Sequence, residues 1–330
     1  MKSKLELSKT TRSNQTLVVR RGGARIAALA TGLFLVFLAS GGAAFGGPAC
    51  SETSRDLRRA CQNTANSDYL VALAKCANLS DPAEQEQCQM DGAAALAEAR
   101  QTCAEQFDAR QVVCAKLGEG PYDPVIDPAN FVSEVTNPYF PLPIGRSWLY
   151  QGQSAEGFVR NIVTVTANTK TILGVQCVEV IDFVYLDGIL AEDTADWYAQ
   201  DKEGNVWYFG ENTGELVDGR FVTLDGTFTA GVDGDKAGLI MKAQPQVGDF
   251  YRQEFSLANA EDLAEVVATG VTERVRAGVY TNCVVTQETT PLETTLLETK
   301  SYAPGVGPIL TVNLQTGERL ELVRVIDATN

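Results

Sequence analysis

The sequence predicts an α+β protein in two modules, a disulfide-stapled antiparallel α-hairpin followed by a mainly antiparallel β domain shaped as a half-barrel or a sandwich. Three observations carry this reading. Six of the eight cysteines form a symmetric array between Cys50 and Cys114. A stretch dense in proline and glycine, 117–145, comes next. From Arg146 onward, short β-branched and aromatic runs alternate with glycine-bearing turns.

The cysteine array is centred on Pro82. Cys50 and Cys114 lie 32 residues to either side of it, Cys61 and Cys103 lie 21, and Cys76 and Cys88 lie 6. Two helices joined by a turn just before Pro82 run antiparallel, and each cysteine is then level with its mirror partner. This selects Cys50–Cys114, Cys61–Cys103 and Cys76–Cys88 among the many pairings that six cysteines allow. Within each arm the spacings are 11 and 15 residues, close to whole helical turns, so the cysteines share a face. Leu57, Leu70, Leu73, Leu96 and Val113 are expected to extend that seam. Asp81, Pro82 and Glu84 read as an N-cap, a first-turn proline and a capping-box acceptor. A metal cluster is disfavoured, because the C-x-x-C spacing of zinc ribbons is missing and the chain has no histidine. The hairpin spans 50–116 and needs its cross-links, since two helices alone bury too little core.

The N-terminal 44 residues are basic, then apolar over 26–39, then small, in the order of a signal peptide. Cleavage is expected after Ala44, with an uncleaved membrane anchor over 26–46 as the alternative. Cys50 is not preceded by the leucine of a lipoprotein cleavage box, and lipidating it would orphan Cys114. Taking the leader's seven Lys/Arg and one Glu from totals of 27 and 42 leaves 20 against 41, a net charge of −21. Such a chain is unsuited to nucleic acid, and to membranes unless the leader is retained or Cys50 is lipidated. An even number of cysteines suits an oxidising compartment. An extracytoplasmic location, periplasmic or secreted, is the expectation.

In the β domain, 146–330, strands are expected at 146–152, 158–167, 175–186, 192–200, 205–210, 220–229, 249–256, 264–275, 282–289, 295–302, 308–314 and 319–326. Turns at Asp187-Gly188, Lys202 to Asn205, Asp218-Gly219, Asp225-Gly226, Arg276 to Gly278 and Gln315 to Gly317 are short and imply antiparallel pairing. Cys177 and Cys283 both fall inside strands and are expected to meet as a fourth disulfide, with two buried free thiols as the alternative.

Three stretches carry a resemblance: Asn137-Pro-Tyr-Phe-Pro-Leu142, Asp196-Trp-Tyr-Ala-Gln-Asp201 through Gly204-Asn-Val-Trp-Tyr-Phe-Gly210, and Tyr302-Ala-Pro-Gly-Val-Gly307. Over 137–325 the chain resembles a family of uncharacterised secreted bacterial proteins, which implies export and carries no activity to transfer. The run Ala277 to Cys283, followed by the Tyr302 motif, is also similar to a local pattern in bacterial lipoproteins with curved antiparallel sheets. That likeness implies a carrier-like half-barrel.

Without histidine the chain has no Ser-His-Asp triad, no Cys-His pair and no histidine-ligated metal. It also lacks phosphate-binding and dinucleotide fingerprints. Aromatics beside carboxylates single out Asp193, Asp196, Trp197, Tyr198, Trp207 and Tyr208 as ligand-binding candidates. If the chain turns through 201–204, Trp197 lies against Tyr208 and Tyr198 against Trp207. Asp193 and Trp197 then share one face, Asp196 and Tyr198 the other. Asp233 and Asp235, in a glycine-rich loop, are candidate calcium ligands, although no EF-hand pattern is present. Glu261, Asp262 and Glu265 form a further acidic cluster. The expected function is non-enzymatic binding of an apolar or aromatic small ligand by the β domain. The alternatives are a structural or surface module whose partner is a cell-envelope component, and a carboxylate-dependent glycan hydrolase using Asp193 and Asp196.

Overall fold

The computed structural model describes residues 48–328. The leader, with its expected cleavage site or anchor, lies outside the described residues.

Helices α1 (Ala49–Cys76) and α2 (Pro82–Leu117) form the antiparallel hairpin, stapled by Cys50–Cys114, Cys61–Cys103 and Cys76–Cys88 as the symmetry requires. Asp81 caps α2, its carboxylate accepting from the backbone N–H groups of Ala83 at 2.7 Å and Glu84 at 3.2 Å, and Pro82 occupies the first turn. Val113 is buried on the seam and Leu57, Leu73 and Leu96 are half-buried, whereas Leu70 points to solvent. The base of the hairpin is held to the β domain. Arg110 donates twice to Glu261, at 2.7 and 2.9 Å, Lys116 pairs with Glu265, and the Gln106 amide donates to the Leu292 carbonyl at 2.9 Å. At 1.5 Å per residue, the cross-link at Cys88 lies about 27 Å beyond Gln106 along α2.

The strands are β1 (Phe131–Val132), β2 (Ser147–Ser154), β3 (Gly157–Ile172) and β4 (Val175–Leu186). They continue with β5 (Ile189–Asp201), β6 (Val206–Val217), β7 (Arg220–Thr223) and β8 (Phe228–Thr229). Next come β9 (Lys236–Met241), β10 (Phe250–Arg252), β11 (Glu254–Phe255) and β12 (Leu263–Val275). The last are β13 (Gly278–Thr289), β14 (Glu298–Ala303), β15 (Gly307–Asn313) and β16 (Arg319–Ile326). Neighbours run in the order β10-β12-β13-β14-β15-β16-β2-β3-β4-β5-β6-β9-β11, all antiparallel. The bent segment from Phe250 to Phe255 pairs with β12 through its first half and with β9 through its second. The sheet is thereby a nearly closed barrel, which leaves few exposed edges.

Strand alternation sorts side chains to the two faces. Trp148, Tyr150, Val163, Val180, Tyr198, Tyr208 and Leu322 point inward and are part of the main core. The opposite parity on β4–β6 places Cys177, Trp197, Ala199 and Phe209 outside, in a second apolar cluster. The proline-rich segment covers it. Ile126 and Phe131 pack there, β1 pairs with β5, and the Tyr122 hydroxyl donates to the Ala237 carbonyl at 2.8 Å. The stretch expected as a linker is therefore also a strap across the barrel wall.

The three resemblance stretches converge on one end of the barrel. Asn137 donates to the carbonyls of Gly204 and Lys242 and accepts from the Tyr139 N–H. Phe140 packs on Tyr198 with ring centres 5.2 Å apart, and the Gly305 N–H donates to the Pro138 carbonyl. The 137–142 turn is thus a plug, and the other two motifs are its socket.

Candidate functional site

The inner wall of β4, β5 and β6 carries the densest chemistry. Nearest the plug, Tyr198 and Tyr208 stack at 4.7 Å with an angle of 17° between their planes. An apolar crevice of about 10 Å³ opens beside Tyr198, between Phe140, Leu142, Trp148, Tyr150, Val163 and Val180. It is narrow, with room at its centre for little more than a water-sized sphere. Beyond the rings the wall turns acidic, with Asp182, Glu192, Asp196 and Glu211 all buried. Thr194 donates to Glu192 at 2.9 Å and lies 2.6 Å from the Thr213 hydroxyl. The Tyr208 hydroxyl donates to Asp196, and the Asn161 amide donates to Asp182.

These contacts do not offset the loss of water. Burial, reinforced by Glu211 and Glu192 and opposed by the Tyr208 hydroxyl, pushes the Asp196 carboxyl up to about 7. Burial also pushes Asp182 well above the usual carboxylate range, with Asp196 and Glu192 adding to it. Two carboxyls therefore hold protons well above the pH at which free carboxyls lose them. On β13 and β14, Lys300 pairs with Glu288 at 2.5 Å, and the Tyr302 hydroxyl donates to the same Glu288 carboxylate at 3.0 Å.

The expected aromatic pairing across β5 and β6 is corrected. Tyr198 faces Tyr208 and Ala199 faces Trp207. The loop has three residues, 202–204, with Gly204 at φ +95°, so Asp201 bonds Asn205 and the register moves by one. A one-residue shift exchanges faces, so both tyrosines point in and both tryptophans out. A bulge then adds a further residue at Gly210, where a side chain would run into the Phe228 carbonyl oxygen. Outside, Trp197 is buried with the Lys170 ammonium 3.3 Å from its ring centre, and the Trp207 indole N–H donates to Asp201 at 2.8 Å. Of the six candidates, only Asp196, Tyr198 and Tyr208 share the interior. Asp193 faces outward, so it and Asp196 cannot flank one glycosidic bond, which paired carboxylates must do.

The other candidates separate. Among the described residues no group of three or more His, Cys, Asp or Glu is placed to hold a metal, so Asp233 and Asp235 gather no third ligand. Glu261 and Glu265 dock the hairpin, a role their sequence signal did not disclose. The Cys177–Cys283 disulfide does not form, and both are buried free thiols. They lie on β4 and β13, six steps apart in the strand order and so about halfway round the barrel. Burial pushes the Cys177 thiol up to about 12 and raises Cys283. Ellman's reagent is expected to find no reactive thiol in the native protein and two after unfolding without reductant. A count of zero after unfolding would restore the fourth disulfide.

Asp182, Glu192 and Glu211 were missed from sequence. Their parity was legible, since 192, 194 and 196 fall on one face of a strand, but parity does not say which face closes inward.

Among the described residues no helix is long and apolar enough to cross a membrane. No protein-family model and no curated protein matches the chain, so the family resemblance rests on its motifs alone. One solved structure, a "putative lipoprotein" from Parabacteroides distasonis ATCC 8503, is similar over 57% of this chain and 98% of its own, at 14% identity and a TM-score of 0.33.

Proposed function

We propose that this is an exported, non-enzymatic binding protein whose barrel interior takes up a small ligand with an apolar or aromatic body. Tyr198 carries the reading, because its ring, backed by the stacked Tyr208, lines the apolar crevice within the barrel wall. The neighbouring carboxyls disfavour an anionic ligand, so a neutral or basic molecule fits best. Three disulfides in the hairpin support an oxidising, extracytoplasmic setting. The test is native mass spectrometry and solvent extraction of protein purified from its own host. A reproducible neutral or basic small molecule is expected. Tyr198→Ala should lose it, with affinity falling about tenfold or more, since an aromatic contact is worth on the order of 1 kcal/mol beyond its buried area. Recovery of no molecule, or equal recovery from Tyr198→Ala, overturns the reading.

A second reading, a contact arm, is favoured by the projecting hairpin. Leu70, Val71 and Met90 are each more than half exposed toward its far end. Cell-envelope binding that survives loss of the barrel ligand but not substitution of these three by serine would support it.

A further inference from the structure

Where the hairpin base meets the barrel there is a hollow of about 140 Å³, partly open to solvent and separate from the barrel interior. Its lining holds two guanidinium groups, Arg110 and Arg252, and one carboxylate, Glu261. Arg110 is committed, forked onto Glu261 by its two hydrogen bonds. Arg252 is not. Its guanidinium lies 5.1 Å from the ring centre of Phe255 and 5.5 Å from that of Tyr122, and among the described residues it makes no ion pair. The two rings are themselves in contact at 5.0 Å, so they hold the guanidinium against aromatic surface without accepting conventional hydrogen bonds from its N–H groups. The Tyr122 hydroxyl is spent on the Ala237 carbonyl. Burial holds the Arg252 guanidinium below its ordinary value, as expected of a cation stripped of water without a full complement of acceptors.

We propose that this hollow is an anion site for a small organic acid, whose carboxylate seats on the Arg252 fork while its apolar part lies against Phe255 and Leu257. The charge balance selects the class. Two guanidiniums and one carboxylate leave a single positive charge, which matches a monoanion. A phosphate dianion would bring a second negative charge against Glu261. The chain carries a net charge of −15, so a locally positive hollow stands out on an otherwise acidic protein. Val113, Phe255 and Leu257 supply the apolar wall that an inorganic ion cannot use.

The test uses the whole exported protein, ¹⁵N-labelled, with phenylacetate and hexanoate as probes and inorganic phosphate as the competing anion. At least one organic acid is expected to move the Arg252 Nε–Hε resonance saturably, with half-saturation near ~1 mM, as suits one bidentate contact on a part-open site. Arg252→Gln should weaken binding about tenfold or more, and Arg252→Lys, which keeps the charge without the fork, should fall between. No saturable shift with either acid overturns the proposal, and so does unchanged affinity in Arg252→Gln. Phosphate binding as tightly as the organic acids overturns the assigned class. The resonance is read in the wild-type protein, so the result stands even if a variant fails to fold.

Discussion

Asp196→Asn is expected to make the protein more stable at about pH 8, by on the order of 2–4 kcal/mol, while changing it little at about pH 4. The Asp196 carboxyl is raised from an ordinary 3.8 to about 7 in the folded state. Between those values the folded chain keeps a proton that the unfolded chain has released. Wild-type stability therefore falls as the pH rises through this window, and the full penalty is present above about 7. Asparagine keeps an oxygen to accept from Tyr208 and cannot ionise, so the penalty disappears. Asp182 is raised in the same direction and leaves a residual slope, reduced because its charged neighbour is gone. Urea unfolding at a series of pH values reads the effect. Equal destabilisation of the variant at both ends would show that packing, not charge, governs the site. The same measurement bears on function, because a basic ligand placed against Asp196 would flatten the wild-type slope.

Arg110→Ala should loosen the hairpin from the barrel at a cost of about 3–5 kcal/mol, because it leaves the Glu261 carboxylate buried without its guanidinium. Both side chains of this pair are almost fully buried, at 7% and 2% exposure, whereas the Lys116–Glu265 pair is 41% and 32% exposed. Lys116→Ala is accordingly expected to cost under about 1 kcal/mol and to become silent at high salt. The hairpin itself should survive either change, since its cross-links do not depend on the dock. Hydrogen exchange at β10 and at the C-terminal turns of α2 is the discriminating readout. Protection there should drop in Arg110→Ala while the amides between Cys61 and Cys103 stay slow. Replacing both partners together, Arg110→Met with Glu261→Met, should recover most of the loss, as apolar substitutes for buried ion pairs often do. If the double variant is as loose as the single one, the pair positions the dock through geometry that methionine cannot reproduce.

The sequence by itself determined what depends on local period. Helical spacing put six cysteines level in three pairs, and the pairing followed without any contact between modules. The cap at Asp81 and the limits of 175–186 and 319–326 were legible for the same reason, since turn chemistry and alternation bound each element from within. Strand β9 was missed because its Gly238 reads as loop. In the fold that glycine is where a side chain would collide with the Gln253 carbonyl oxygen, at the seam that brings the sheet ends together.

Tertiary structure alone decided the rest. A period of two says which residues share a face, and only closure of the barrel says which face is inside. That choice turned Asp196 into a buried acid and Asp193 into a surface one. One residue fewer in the loop, 202–204 in place of 201–204, sorted the tyrosines to the inner face and the tryptophans to the outer one, an outcome set by Gly204 together with the pairing of the strands. Cys177 and Cys283 looked like partners because both are strand-borne, yet the distance round the barrel is a sum over every intervening strand. Arg110 and Glu261 are 151 residues apart, and nothing local to either announces the other. Local patterns fix energies over a few residues, whereas inside, outside and opposite are properties of the closed sheet.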